Sequence, residues 1–203
     1  MLSIKKQIFN SVLISADTAE ELAECFMRYQ EYYENPFWQG KIFTIGQIKE
    51  WYSKKYGADT YKKDWHGFNI PSEVLIPFKK GLFDPLTKKE RQLLNFFKYR
   101  SDNFYIIGAV DKDVLKHELC HALYYTNKSY KLEIDELLLK QKSKIKNAEK
   151  HLIKIGYSNK VLFDEIQAYI LDGNYFEENK ITLPQKLKDD INTIYKKYSR
   201  KSK

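Results

Sequence analysis

The chain has 203 residues, of which 43% are apolar and 15% aromatic, which excludes a wholly disordered polypeptide and makes one compact domain, 1–203, the expectation. Lys and Arg number 35 against 27 acids, and the resulting +8 permits an acidic partner without requiring one. The two cysteines, Cys25 and Cys120, can build neither a disulfide framework nor a Cys-x-x-Cys clip, which suits a reducing, cytoplasmic setting. No apolar run approaches the roughly 18–20 residues of a membrane span.

The segment Lys5-Lys6 followed by Ile8 to Ile14 faintly imitates a secretion signal. Asn10 and Ser11 interrupt its apolar core and no small-x-small site follows, so none is expected. Asp17 to Glu20 has capping-box spacing, and Leu22, Ala23, Phe26 and Met27 recur at helical period up to Pro36. A second helix is predicted from Thr44 to Gly57, with Ile45, Ile48, Trp51 and Tyr52 inward and Gly57 in the left-handed closing position. Residues 60–83 are irregular and aromatic, and Pro71 interrupts them, which implies a loop or short strand leading into another short element. Thr87 to Glu90 forms another capping box, opening a helix to about Arg100.

Residues 103–110, Asn-Phe-Tyr-Ile-Ile-Gly-Ala-Val, are the strongest strand signal in the chain. Asp111 or Asp113 is expected to cap a helix from about Val114 to Thr126. A single long helix is predicted from Tyr130 to Ile155, closed by Gly156, and a further one from Asn159 to Leu171, capped by Ser158. A last helix starts beyond Pro184 and frays into a basic tail. The expected fold class is α+β, mainly helical, with a small sheet. A helical half spans 1–102, the chemistry-bearing part spans 103–172, and a C-terminal helix and tail span 173–203.

Within the helix after the strand, His117-Glu118-Leu119-Cys120-His121 fits the His-Glu-x-x-His pattern. At about 100° per residue His121 lies about 40° around from His117 and one turn along, so both imidazoles reach one ion. Glu118 falls on the flank of that face, where a base can take a proton without filling a coordination site. Cys120 points to the other side and reads as a core residue. The bland alternative is a pair of satisfied helix histidines beside a surface glutamate.

A third ligand is needed, because catalytic zinc takes three protein groups and leaves a position open. The spacing that adds a later third histidine fails, since Tyr124 and Asn127 stand there. His66, in the aromatic loop, could approach from outside, whereas His151 belongs to a solvated lysine-rich helix. Glu165 is the better candidate, embedded among Leu162, Ile166, Ala168 and Ile170 on a helix that must face the core, where a carboxylate needs a partner. Asp164 beside it serves nearly as well. Tyr169, one turn beyond Glu165, could orient a ligand or stabilise an oxyanion, as could Tyr105, Tyr124 and Tyr125.

With these residues, 103–172 resembles the zincin metallopeptidases, and among them the gluzincins, which carry two histidines and a base glutamate on one helix and a ligand glutamate on a later one. The resemblance implies that His117, His121 and Glu165 bind Zn, that Glu118 acts as general base and then acid on a peptide or protein substrate, and that the preceding strand aligns an extended substrate. Many gluzincins carry Asp four positions after the ligand glutamate, where this chain has Tyr169. Two other readings use the same residues or the charge. One is a basic nucleic-acid- or partner-binding protein, supported by Lys140 to Lys150 and Lys196 to Lys203, although no nucleic-acid motif is present. The other is a closed, structural metal site. Nothing in the sequence specifies an oligomeric state.

Overall fold

The computed structural model describes residues 2–110 and 112–200. Its elements are β1 (Ser3–Ile8), β2 (Ser11–Ser15), α1 (Ala19–Glu34), α2 (Ile45–Tyr56), α3 (Tyr61–Asp64), β3 (Gly67–Pro71), a 3-10 turn (Ser72–Val74), α4 (Leu75–Lys79), α5 (Lys88–Phe96), β4 (Tyr105–Ala109), α6 (Lys112–Thr126), α7 (Lys128–Lys140), α8 (Lys142–Ile155), α9 (Leu162–Asp172), α10 (Tyr175–Glu178) and α11 (Gln185–Ser199). This is a mainly helical α+β fold with one mixed sheet in the order β1-β2-β4-β3. No described helix is long and apolar enough to cross a membrane.

β1 and β2 form a hairpin. Ile8 pairs with Ser11, and Phe9 and Asn10 close the turn with φ of 51° each, the left-handed pair that a two-residue connection requires. β2 then runs parallel to β4, while β3 lies antiparallel to β4 at the opposite edge. Side chains alternate across this sheet. Val12, Ile14, Phe68, Ile70 and Ile106 join the cluster built on α1 residues such as Leu22 and Phe26, whereas Leu13, Tyr105, Ile107 and Ala109 pack with Ala122 of α6. Gly108 permits the close approach of α1: a Cβ there would lie 2.8 Å from Phe26 Cε2. Each fully buried Phe or Ile in these layers stabilises by about 1.5–3 kcal/mol. A separate cluster unites α7, α8, α9 and α11 through Tyr130, Ile134, Ile145, Leu152, Ile166 and Ile191.

Several expected boundaries shift. The cap of α1 is Thr18, which accepts from the Glu21 amide, rather than Asp17, whose own amide donates to the Glu21 carboxylate instead of completing a box. Thr87 with Glu90 forms a capping box as expected, Thr44 opens α2 as expected and forms a further box with Gln47, and Gly57 closes α2 at φ 84°. The helix opened by Thr87 ends at Phe96, short of Arg100. The expected continuous helix 130–155 is broken at Gln141, whose amide bonds to the carbonyls of Leu137 and Leu138, so that α7 and α8 pack on α9 separately. Ser158 does not cap α9, which starts at Leu162 after Val161; the buried Ser158 hydroxyl has no hydrogen-bond partner among the described residues. Asp111 lies outside the described residues and Asp113 falls inside α6, so the cap expected there has no structural account.

Candidate metal centre

The strand-to-helix passage β4–α6 places the His-Glu-x-x-His segment beneath the sheet, and α9 crosses α6 so that Glu165 meets it. His117 Nε2 and His121 Nε2 are 3.0 Å apart, and each lies 3.8 Å from a carboxylate oxygen of Glu165, Oε2 for His117 and Oε1 for His121. One ligand atom from each of the three residues falls within 4.8 Å of the others. Zinc bonds of about 2.0–2.2 Å at tetrahedral angles place ligand atoms about 3.3–3.5 Å apart, and the observed separations bracket that range. Glu165 is 4% exposed, yet its Oε2 has no hydrogen-bond partner among the described residues. A buried carboxylate oxygen left in that state costs free energy unless a cation meets it. The donor set therefore fits a divalent metal.

The outer nitrogen of each ring faces a carboxylate, at hydrogen-bond distance for His121 only. Asp164 Oδ1 stands 2.9 Å from His121 Nδ1 and also accepts from Gln167 Nε2 at 3.0 Å, while Gln167 Oε1 accepts from the Tyr130 hydroxyl at 2.7 Å. Asp172 Oδ2 stands 3.8 Å from His117 Nδ1. A carboxylate on Nδ1 fixes the tautomer that leaves Nε2 free to bind a metal. Burial alone would lower the pKa of His121, but Asp164, Glu165 and Glu118 together raise it well above the ordinary imidazole value. Without a metal, a proton is the cation that this cluster draws in.

Glu118 is 6% exposed, and burial raises its pKa against the opposing pull of His117, His121 and Asn69. Its Oε2 accepts from Asn69 Nδ2 at 2.7 Å. Asn69 lies on β3 between Phe68 and Ile70, which turn to the α1 side, so that alternation aims its amide at α6. The Tyr105 hydroxyl donates to Asn69 Oδ1, and the Asn69 backbone amide donates to Gln30 Oε1 at 3.2 Å. Gly67 opens β3 where the strand crosses Glu118, and any Cβ there would overlap Glu118 Oε1 and Val114 Cγ1.

Of the sequence candidates, His117, Glu118, His121 and Glu165 are thus brought together, with Asp164 behind His121 rather than in the ligand group. His66 is not part of it: the ring is exposed and its Nε2 contacts the Lys63 carbonyl. His151 contacts the Tyr175 hydroxyl. The Tyr169 ring covers His117 at 4.6 Å, and its hydroxyl pairs with that of Tyr157 at 2.9 Å. Tyr105, Tyr124 and Tyr125 donate to Asn69, Asp135 and Glu73 respectively. Cys120 is a buried core thiol, raised in pKa by burial. Sequence reasoning missed Asn69, Gln30, Asp172 and Tyr157, all but one of which reach the site from outside the two helices that bear the ligands. No protein-family model, no curated protein and no solved structure matches the chain.

Proposed function

We propose that the chain is a zinc-dependent hydrolase acting on peptide bonds, similar in its chemistry to the zincins, with His117, His121 and Glu165 as metal ligands and Glu118 as general base. The observation that carries this reading is the convergence of three ligand atoms within 4.8 Å, one belonging to a buried carboxylate with an oxygen that has no hydrogen-bond partner among the described residues, beside a second buried acid, Glu118. Bound there, zinc would supply Lewis acidity for a carbonyl and bring the pKa of a water towards about 7. Glu118 accepts a proton at Oε1 while Asn69 holds Oε2, and the same carboxyl returns that proton to the leaving nitrogen. The raised pKa of Glu118 suits it to both halves of that exchange. Tyr169, whose ring lies against His117 and whose hydroxyl pairs with that of Tyr157, is the residue assigned to steady an oxyanion.

A structural metal is disfavoured because nothing in its role calls for a buried base beside the ligands. Zinc-loaded protein incubated with a quenched-fluorescent peptide library should show chelator-sensitive cleavage. Glu118→Gln should lower the rate by about 10²–10⁴-fold while retaining zinc. Cleavage undiminished in that variant, or absent from zinc-loaded wild type, contradicts the assignment.

A further inference from the structure

A cavity of about 280 Å³ opens beside the triad, between the C-terminal end of α1 and the turn from α8 to α9. Its lining includes Glu31, Glu34, Lys55, Trp65, Tyr157 and Tyr169. Tyr169 connects it to the candidate metal centre, because the same ring covers His117. The volume lies at the low end of the roughly 300–1,000 Å³ of small-molecule pockets, which suits one side chain or chain terminus rather than a large cofactor.

The chemistry of this lining runs against that of the whole chain. In a protein of net charge +8, the cavity beside the site presents two carboxyl groups and a single lysine. The Lys55 ammonium lies over the rings of Trp51 and Tyr56, at 4.9 Å from each centroid, and it also lowers the pKa of Glu31. Glu34 has no salt bridge among the described residues. Its Oε2 accepts from Gln30 Nε2 at 2.6 Å. Gln30 is 6% exposed, and its other end takes the Asn69 backbone amide, so one buried amide fixes Glu34 relative to the strand that aims Glu118. Burial, together with the nearby Glu165 carboxylate, disfavours the charge of Glu34, and a cation in the cavity is what would restore it. The exposed Trp65 indole and the Tyr157 and Tyr169 rings supply faces that hold an alkyl stem and attract a positive group.

We propose that this cavity binds an organic cation next to the scissile bond, a basic side chain or a free amino terminus, with Glu34 as its counter-ion. Glu34 would act as a specificity residue. The assignment rests on the hydrolase reading for its meaning, but binding to the metal-free chain tests it separately.

The probes are acetyl-Ala-Lys-Ala-amide, its arginine and norleucine counterparts, and the norleucine peptide with a free amino terminus, titrated into metal-free protein by calorimetry with Trp fluorescence in parallel. Binding of the lysine and arginine peptides about five- to tenfold tighter than acetylated norleucine, weakening with salt, supports a side-chain cation. The same advantage for the free-terminus norleucine peptide supports the amino terminus as its source. Glu34→Gln should bring all of these within about twofold of one another, and Glu34→Lys should favour a glutamate peptide. Equal binding of lysine and norleucine peptides by wild type, no binding of any, or an unchanged preference in Glu34→Gln overturns the proposal. Loss of zinc in Glu34→Gln overturns it too, by placing Glu34 among the metal ligands. Selective binding without hydrolysis refutes the hydrolase reading alone, whereas hydrolysis without cation preference refutes the cavity assignment alone.

Discussion

Two of the buried clusters of charge among the described residues are built in opposite ways. In the N-terminal half Arg28 and Glu90 form a closed pair: Arg28 Nε and Nη2 donate to the two Glu90 oxygens at 2.7 and 2.6 Å, and Nη1 donates to the Phe83 carbonyl at 2.9 Å. Glu90 Oε2 also receives the Thr87 amide in the capping box of α5. At the α6–α9 crossing, by contrast, two imidazole nitrogens face each other at 3.0 Å and a buried Glu165 oxygen has no hydrogen-bond partner among the described residues. Closed charge holds a fold in one arrangement. Open charge of this kind is tolerated where a ligand completes it.

Breaking the closed pair should have the largest effect on stability. Arg28→Met leaves the buried Glu90 without its counter-ion, and should cost about 3–5 kcal/mol in urea unfolding, with the loss partly recovered by adding Glu90→Gln. A loss below about 1 kcal/mol would mean that the pair is not closed in solution. The open cluster should answer in metal affinity instead. Asp164→Asn weakens the hold on His121 Nδ1 and should lower zinc affinity about 10–100-fold in a competition titration, with little change in the unfolding of the metal-free protein. Unchanged affinity would remove Asp164 from the site.

The smallest effect concerns Glu31, on the wall between the two regions, whose carboxyl burial pushes up to about 7 from 4.5. Since the folded value lies above the unfolded one, its contribution is fully present below about pH 4.5 and is lost as pH rises through about 7. Glu31→Gln should therefore gain stability over wild type at about pH 8 and nothing at about pH 4. A gain independent of pH would contradict this.

What the sequence makes legible follows the range of the interaction. His117, Glu118 and His121 stand out because one helix turn fixes their geometry, and Glu165 because its apolar flanks bury the face that carries it. Capping at Thr44 and Thr87 is equally local. The hairpin at the start of the chain escaped because its turn is Phe9-Asn10 rather than a glycine-containing pair, and β2 is too short to show a period. Asn69 was hidden for the same reason: without knowing that residues 67–71 form a strand, nothing separates it from loop asparagines. Gln30 and Glu34 belong to a helix whose periodicity announces only its apolar face, and their approach to the site depends on how α1 lies on the sheet. Tyr169 occupies the position where the gluzincin resemblance sets an aspartate, and the bracing carboxylates come instead from Asp164 and Asp172, close by on α9.

The central claim is that the open cluster is a metal site. Metal analysis of protein dialysed against trace zinc tests it most directly. The proposed zinc site predicts about one zinc per chain in wild type and a loss of most of it in both His117→Ala and Glu165→Ala, with the melting temperature of wild type alone rising when zinc is added. Metal-free wild type, or equal zinc in all three proteins, would contradict it.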